Sequence, residues 1–481
     1  MQMNWERYAE IAACSANIQE AKSMNVKGIE VNMKNHPVLD PKFIPMSAFS
    51  TAFEQSAANG QTIVLALERE NGQISRWEKK IHGTPEMREA DILYIERTVK
   101  MMLWAAGGYK IYVCGNEEIG NAVKDIYRRG GERDFDVDFM ESVYEKPFEV
   151  VVLPLDQAPQ EKQTPKQIGG NNTGCRIGFD AGGSDRKVSA VIDGEPVFSE
   201  EVVWHPKVTA DPDYHYNEIV TAFKTAASKM PRVDAIGISS AGVYVDNRAM
   251  VASLFIKVPK DQFDAKVKNI YINAAKEIGD VPVNVVNDGD VTALAGAITL
   301  GDNNVLGIAM GTSEAVGYVN KDGNITGWLN ELAFAPVDIG EDKAWDEWSG
   351  DRGVGCKYFS QDAVNRLAPR AGIELPDDAT PAEKLKIVQG LMNEGDKRAV
   401  PVYETIGCYL AHAIAYYSKF YDIRHILLLG RVMSGKGGDV LLETATRVLH
   451  EEYPELTGKL EINLPDEKFR RLGQSVVAAS L

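Results

Sequence analysis

Cysteine is scarce in this chain: the five that occur (Cys14, Cys114, Cys175, Cys356, Cys408) are scattered, with no C-x-x-C pair. Such spacing gives neither a disulfide framework nor a zinc knuckle, and a reducing, cytoplasmic setting is expected. Histidine is also sparse, seven in 481 residues and never at metal-ligand spacing, so zinc is not expected. Lys and Arg number 52 against 69 Asp and Glu, a formal net charge of -17. That balance excludes an extended nucleic-acid footprint, because phosphate backbones attract clustered cations. No uninterrupted apolar run is long enough to span a bilayer, and the opening MQMNWERYAE lacks the apolar centre of a signal peptide, so no membrane association is expected.

What the chain does have is apolar material, 44% of its residues, in a length that exceeds one ordinary core and predicts two or three domains. A small anion such as a nucleotide stays compatible with the negative charge, since backbone N–H groups bind it without cations. Residues 156–174 are polar, rich in Pro, Gly and Gln, and without periodicity, which reads as a linker behind an N-terminal segment, 1–155. Beyond it, residues 175–203 read as two or three antiparallel strands joined by Gly-bearing turns. A helix over 215–229 and buried strands over 234–239 and 282–286 follow. Residues 304–328 repeat the hairpin pattern with a turn at Lys321, Asp322 and Gly323. Helical patterns cover 358–367, 381–394, 401–420 and 437–451, with a buried strand at 425–430. Two hairpin-first units, each continuing into helices and buried strands, predict an α/β protein with two similar lobes, 175–290 and 291–481.

Four motifs carry chemistry. In VNVVNDGDVTALAGA (283–297) an apolar run ends in Asn287, Asp288, Gly289 and Asp290 where a small-residue helix begins. A buried carboxylate costs several kcal/mol unless it is paired or used; Asp290 reads as the cap of the helix. In DAGGSD (180–185) a carboxylate at a strand end precedes two glycines and a serine, a turn whose backbone N–H groups can approach phosphate oxygens. GTSEAVG (311–317) has the same character at the head of the second unit. GRVMSGKGGD (430–439) matches the P-loop spacing through Gly430, Gly435 and Lys436, but Gly437 stands where the P-loop needs a hydroxyl for magnesium. A glycine-rich strand-to-helix turn under an adenine ring is the better reading.

In this order the motifs resemble the actin and hexokinase superfamily, and within it the ROK family of bacterial sugar kinases and sugar-responsive repressors, over about 176–481. The resemblance implies an actin-like, ribonuclease H-like two-lobed fold that uses ATP and magnesium to phosphorylate a hexose or hexose derivative. It implies that Asp288 is the general base on the sugar hydroxyl and Asn287 its sugar-binding neighbour. Gly182, Gly183 and Ser184 match the first phosphate turn, and Asp180 the aspartate near magnesium, acting through water. Gly311, Thr312 and Ser313 match the second phosphate turn, and Gly430 and Gly435 the adenosine turn. Glu331 in NELAF matches a sugar-binding glutamate, and Glu347 in AWDEWSG a second one. The departures are Phe334 in place of a histidine, Arg431 in place of a glycine, and no zinc knuckle. Glu314, Ala315 and Val316 stand where the family is glycine-rich, which puts a carboxylate near the phosphates. These departures motivate an alternative, a sugar- or nucleotide-sensing regulator that keeps the fold without turnover.

The N-terminal segment contains an echo. Residues 50–68 parallel 291–311, the hairpin 69–81 parallels that around Asp322 and Gly323, and a helix (88–105) and strands (110–115, 149–154) follow in the order of 425–430 and 461–465. This reads as a shortened, silent copy of the C-terminal lobe, with Ser47 in the place of Asp288; the other reading is a chance strand-helix echo. Packing against the core, homodimerisation and shaping of the sugar cleft are its expected roles. No basic recognition helix is visible, which argues against a DNA reader. The acidic run DFDVDF (134–139) lacks the glycine and distal glutamate of a calcium loop and reads as a solvated turn.

Overall fold

A computed structural model describes residues 23–163, 168–466, 469 and 473–481. The opening decapeptide and Cys14 lie outside the described residues.

The N-terminal segment begins with a short antiparallel ribbon, β1 (Met24–Val26) and β2 (Ile29–Val31). A helix, Met46–Ser56, leads into β3 (Gln61–Arg69) and β4 (Gln73–Ile81). Asn71 and Gly72 close that hairpin at φ 58° and 65°, the left-handed region these two residues tolerate best. The helix Arg88–Ala106 connects to β5 (Lys110–Cys114), and two more helices, Glu117–Ile126 and Asp134–Tyr144, to β6 (Glu149–Leu153). The sheet order is β4-β3-β5-β6. The acidic run is therefore not a solvated turn. It is a helix on which Asp134 and Asp138 face water while Asp136 is buried, taking hydrogen bonds from Lys100 Nζ at 2.9 Å and Trp104 Nε1 at 2.6 Å.

The first lobe contains β7 (Cys175–Ala181), β8 (Asp185–Ile192) and β9 (Glu195–Val203), an antiparallel meander. The helix Pro212–Ala227 returns the chain to β10 (Ala235–Ser240), which pairs parallel to β7. A small hairpin, β11 (Val243–Val245) and β12 (Arg248–Val251), precedes β13 (Val283–Asn287), parallel to β10. The order is β13-β10-β7-β8-β9. The second lobe follows with β14 (Val305–Met310), β15 (Glu314–Val319), β16 (His425–Leu429) and β17 (Glu461–Asn463), ordered β15-β14-β16-β17. Its hairpin turns at 311–313; the turn at Lys321–Gly323 closes a second, shorter reversal in which Val319 bridges Ile325.

The N-terminal sheet and the second-lobe sheet share one strand order, but β3 pairs antiparallel to β5 whereas β14 pairs parallel to β16. The echo thus extends to strand order and to Ser47 standing at the head of a helix, and stops at strand direction. The chain end also differs from the sequence expectation. The helix Gln474–Ala478 packs on the first lobe, its backbone lying on Gly178 and Gly237, where any side chain would overlap it.

Two cores result. Residues of the N-terminal segment such as Phe43, Phe49 and Trp104 share one apolar core with Leu332, Phe334, Tyr358 and Tyr409 of the second lobe, while the first lobe keeps its own core around Phe179, Trp204 and Phe223. A buried ionic knot reinforces the first union: Asp351 takes Arg97 at 3.1 Å, Lys100 at 3.1 Å and Arg133 at 2.8 Å. No helix among the described residues is long and apolar enough to cross a membrane.

Candidate functional site between the lobes

Three parallel strands set the floor. Their register puts Asp180 beside Ser239, and Ala181, Ser240 and Asn287 in one row, at the C-terminal ends of β7, β10 and β13. Neighbouring strands lie about 4.8 Å apart, so Asp180 and Asp288 stand within a small molecule's width of each other. This end of a parallel sheet is where α/β folds place ligands.

Asn287 ends β13 and caps the helix Asp288–Leu300: its Oδ1 accepts from Gly289 N at 2.7 Å while its Nδ2 donates to the Gly242 carbonyl at 2.8 Å. The cap is therefore Asn287 and not Asp290. Asp290 is buried and turned toward the second lobe, accepting from Tyr318 N at 3.1 Å and from Asn330 Nδ2 at 2.9 Å. Burial pushes its carboxyl up to about 7. The Asp288 carboxylate accepts from Gly289 N at 3.1 Å, and burial raises its carboxyl while hydrogen bonds from Gly289 N and its own N–H, and then the charge of Lys207, oppose the shift. Asp180 accepts from Ser239 Oγ at 2.8 Å and is pushed up to about 6 by burial, with the charge of Asp288 adding to the effect.

The first glycine turn, Gly182 to Ser184, follows Asp180 directly. Trp204 Nε1 donates to the Gly182 carbonyl at 2.7 Å, and Trp204 N to that of Ser184 at 3.2 Å. Beside it stands Lys207, a residue the sequence reading passed over: a β carbon on Gly183 would lie 3.1 Å from its Cε. No spacing signal links Lys207 to the turn; the loop after β9 brings it there.

The second glycine turn, Gly311 with Thr312 and Ser313, lies at the tip of β14 and β15, and its Gly311 carbonyl accepts from Gln361 N at 2.9 Å. Gly430 (φ 94°) lies against the backbone of Met310, so the two glycine segments adjoin through the paired strands β14 and β16. Gly435 (φ 74°) precedes the helix Lys436–Glu452, and Gly437 sits under the Tyr403 ring. Lys436 donates to the Asn393 carbonyl at 2.8 Å, a fixed use unlike that of a P-loop lysine, which reaches phosphate.

Two expectations are corrected. Glu314, the first residue of β15, turns its carboxylate inward from the Gly311 turn. It is buried with both carboxylate oxygens unpartnered, turned in toward Gly355, and pushed up to about 8 by burial and the charge of Glu331. The alternating faces of β15 send it inward, which a turn motif read as a string does not show. Glu347 is exposed and tied to Lys357 Nζ at 2.6 Å, a hydrogen bond that lowers its carboxyl, so it is not gathered with the other candidates. Glu331 is gathered: desolvation, then Asp288 and Asp290, push it up to about 7. Its segment hangs on the N-terminal segment, with Asn330 N and Glu331 N donating to the Ala105 and Trp104 carbonyls at 2.9 Å each. Phe334 fills an aromatic cluster with Trp104 (4.4 Å), Phe135 (5.5 Å) and Trp348 (5.2 Å). Among the described residues no group of three or more His, Cys, Asp or Glu side chains is set to hold a metal ion.

No protein-family model matches the sequence, and no curated protein does. Solved structures do match. A ROK hexokinase from Thermus thermophilus is 19% identical over 64% of this chain and 96% of its own, with a TM-score of 0.48. A ROK family transcriptional regulator, a homolog of the E. coli MLC protein, is 19% identical over 64% of this chain and 79% of its own, with a TM-score of 0.50. A ROK family glucokinase from Streptomyces griseus, in complex with glucose and AMPPNP, is 19% identical over 64% and 98%, with a TM-score of 0.44. The chain thus has the actin-like, two-lobed α/β fold of the ROK proteins.

Proposed function

We propose that this chain transfers the terminal phosphoryl group of ATP to a hydroxyl of a hexose or hexose derivative. The observation that carries the reading is the grouping of Asp288, Asp180 and the Gly182–Ser184 turn at the C-terminal ends of the parallel strands β13 and β7, which flank β10, with Lys207 over the turn. The sugar hydroxyl gives its proton to the Asp288 carboxylate as its oxygen bonds to the γ-phosphorus and the bond to the leaving oxygen of ADP breaks. A base fixed at a strand end needs no reorganisation to reach that proton. Asn287, already bonded at both ends of its amide, holds the helix head that positions Asp288.

Asp180 would hold magnesium through water; a lone carboxylate suits an ion that keeps several waters and the nucleotide's phosphates as ligands. When bound, magnesium supplies charge neutralisation on the phosphoryl oxygens. Gly182, Gly183 and Ser184 on one lobe and Gly311, Thr312 and Ser313 on the other would offer backbone N–H groups to the phosphates. Gly430 and Gly435 would leave room for the adenosine, and Glu331 would bind sugar hydroxyls. The first lobe has its own core, and its closure on the sugar would exclude water.

The test is a panel of hexoses and hexose derivatives with ATP and magnesium, comparing wild type with Asp288→Asn. Turnover lost with Asp288→Asn supports the reading, and turnover that survives removes Asp288 from its role. ATP and sugar binding with no turnover would instead favour the sensor, a reading supported by the buried Glu314 and the aromatic cluster that has taken Phe334.

A further inference from the structure

We infer that Lys207 binds the terminal phosphates of the nucleoside triphosphate, as a cation that the loop after β9 delivers to the first glycine turn. The inference rests on the reading of Gly182–Ser184 as a phosphate turn.

The position of Lys207 is built and not incidental. Trp204, fully buried, ties the loop to the turn through Gly182 and Ser184. His205 N donates to Tyr214 Oη at 3.0 Å, Pro206 is buried, and Thr209 Oγ1 donates to the His205 carbonyl at 2.7 Å. The backbone on both sides of Lys207 is thereby pinned while its side chain stays exposed. The ammonium reaches back over the turn: a β carbon on Gly183 would lie 3.2 Å from Nζ. Gly183 leaves that space open.

The ammonium is also uncommitted. Among the described residues Lys207 makes no ion pair and no hydrogen bond. The nearby acids are engaged elsewhere: Asp185 with Lys187 at 3.4 Å, Asp211 with Asp213 N at 2.9 Å, and Asp180 with Ser239. Its charge is felt at Asp288, whose ionised form it favours. A polyphosphate entering between Asp180 and Asp288 meets two carboxylates in a chain of net charge -17. A free lysine at that spot offsets the repulsion as a point charge, the usual role of lysine toward phosphate.

The experiment is calorimetric titration of the full chain with MgATP and with AMP, for wild type, Lys207→Ala and Lys207→Arg, at two salt concentrations. Lys207→Ala should weaken MgATP about ten- to hundredfold, the worth of a charge-assisted contact, and leave AMP unchanged. Lys207→Arg should restore most of the loss, and the salt dependence of MgATP binding should be shallower in Lys207→Ala. Equal MgATP affinity in Lys207→Ala and wild type, or equal losses for MgATP and AMP, would overturn the inference. Wild type that binds MgATP but phosphorylates no sugar sinks the kinase reading and leaves Lys207 standing; wild type that binds no MgATP overturns both.

Discussion

Gly289 and Gly317 face each other with no room for a side chain on either. A β carbon on Gly289 would lie 2.7 Å from the Val316 carbonyl oxygen, and one on Gly317 would overlap the Gly289 carbonyl. This contact seats the head of the helix Asp288–Leu300 on β15, so it sets where Asp288 stands relative to the second lobe. Gly317→Ala should destabilise the protein by about 1–3 kcal/mol, the range for overpacking, because the colliding atoms are backbone on both sides. Turnover should fall with it, as the helix head carrying Asp288 moves. Chemical denaturation and a rate assay check this; unchanged stability would mean that the contact is not tight.

Burial raises the Asp288 carboxyl, and a base acts only when ionised. The rate should therefore climb with pH through a midpoint above the ordinary aspartate value of about 4. The profile of kcat/KM against pH measures it. A midpoint at or below 4 would argue against Asp288 as the base.

Asp351 joins the N-terminal segment to the second lobe. Burial alone would raise its carboxyl, but Arg97 and Lys100 outweigh that and hold it down to about 2. Its stabilising share is complete above the unfolded-state value near 4 and is lost as pH falls from about 4 toward 2. Asp351→Asn should cost about 3 kcal/mol at neutral pH, because it leaves buried cations short of a partner. Denaturation at pH 7 and pH 3 should show the variant's deficit shrinking at the lower pH.

Glu314 behaves in the opposite sense. Burial and the charge of Glu331 push its carboxyl up to about 8, so the folded protein holds a proton that the unfolded chain releases above about 4.5. Stability is lost as pH rises between those two values. Glu314→Gln, neutral and of similar shape, should be more stable than wild type at pH 8, with the advantage fading toward pH 4.5. Thermal melts across that range decide it; an advantage that does not vary with pH would place the effect elsewhere.

Much of the candidate site consists of local patterns along the string. The apolar run that ends at Asn287 and Asp288, the glycines after Asp180, and those at Gly311 and Gly430 are local patterns. Strand period, turn residues and helix heads depend on neighbours only a few positions away. The order along the chain of the strands in the four- and five-stranded sheets follows from the same short-range signals, whereas the ribbon β1-β2 and the hairpin β11-β12 were not read from them.

What could not be read depends on which distant segments meet. Asp136 lies in an acidic run that looks solvated, and only its approach to Lys100 and Trp104 makes it a buried partner. Glu314, Asp290 and Lys207 each have an ordinary local context. Their surroundings come from Gly355, from Tyr318 and Asn330, and from Gly183. Strand direction in the N-terminal sheet, and the fusion of that segment with the second lobe around Phe334, were likewise settled only by packing. Local spacing specifies which element a residue joins, because backbone geometry repeats every two or 3.6 residues. The partner of a buried charge is chosen by the closure of the whole chain, which no local repeat encodes.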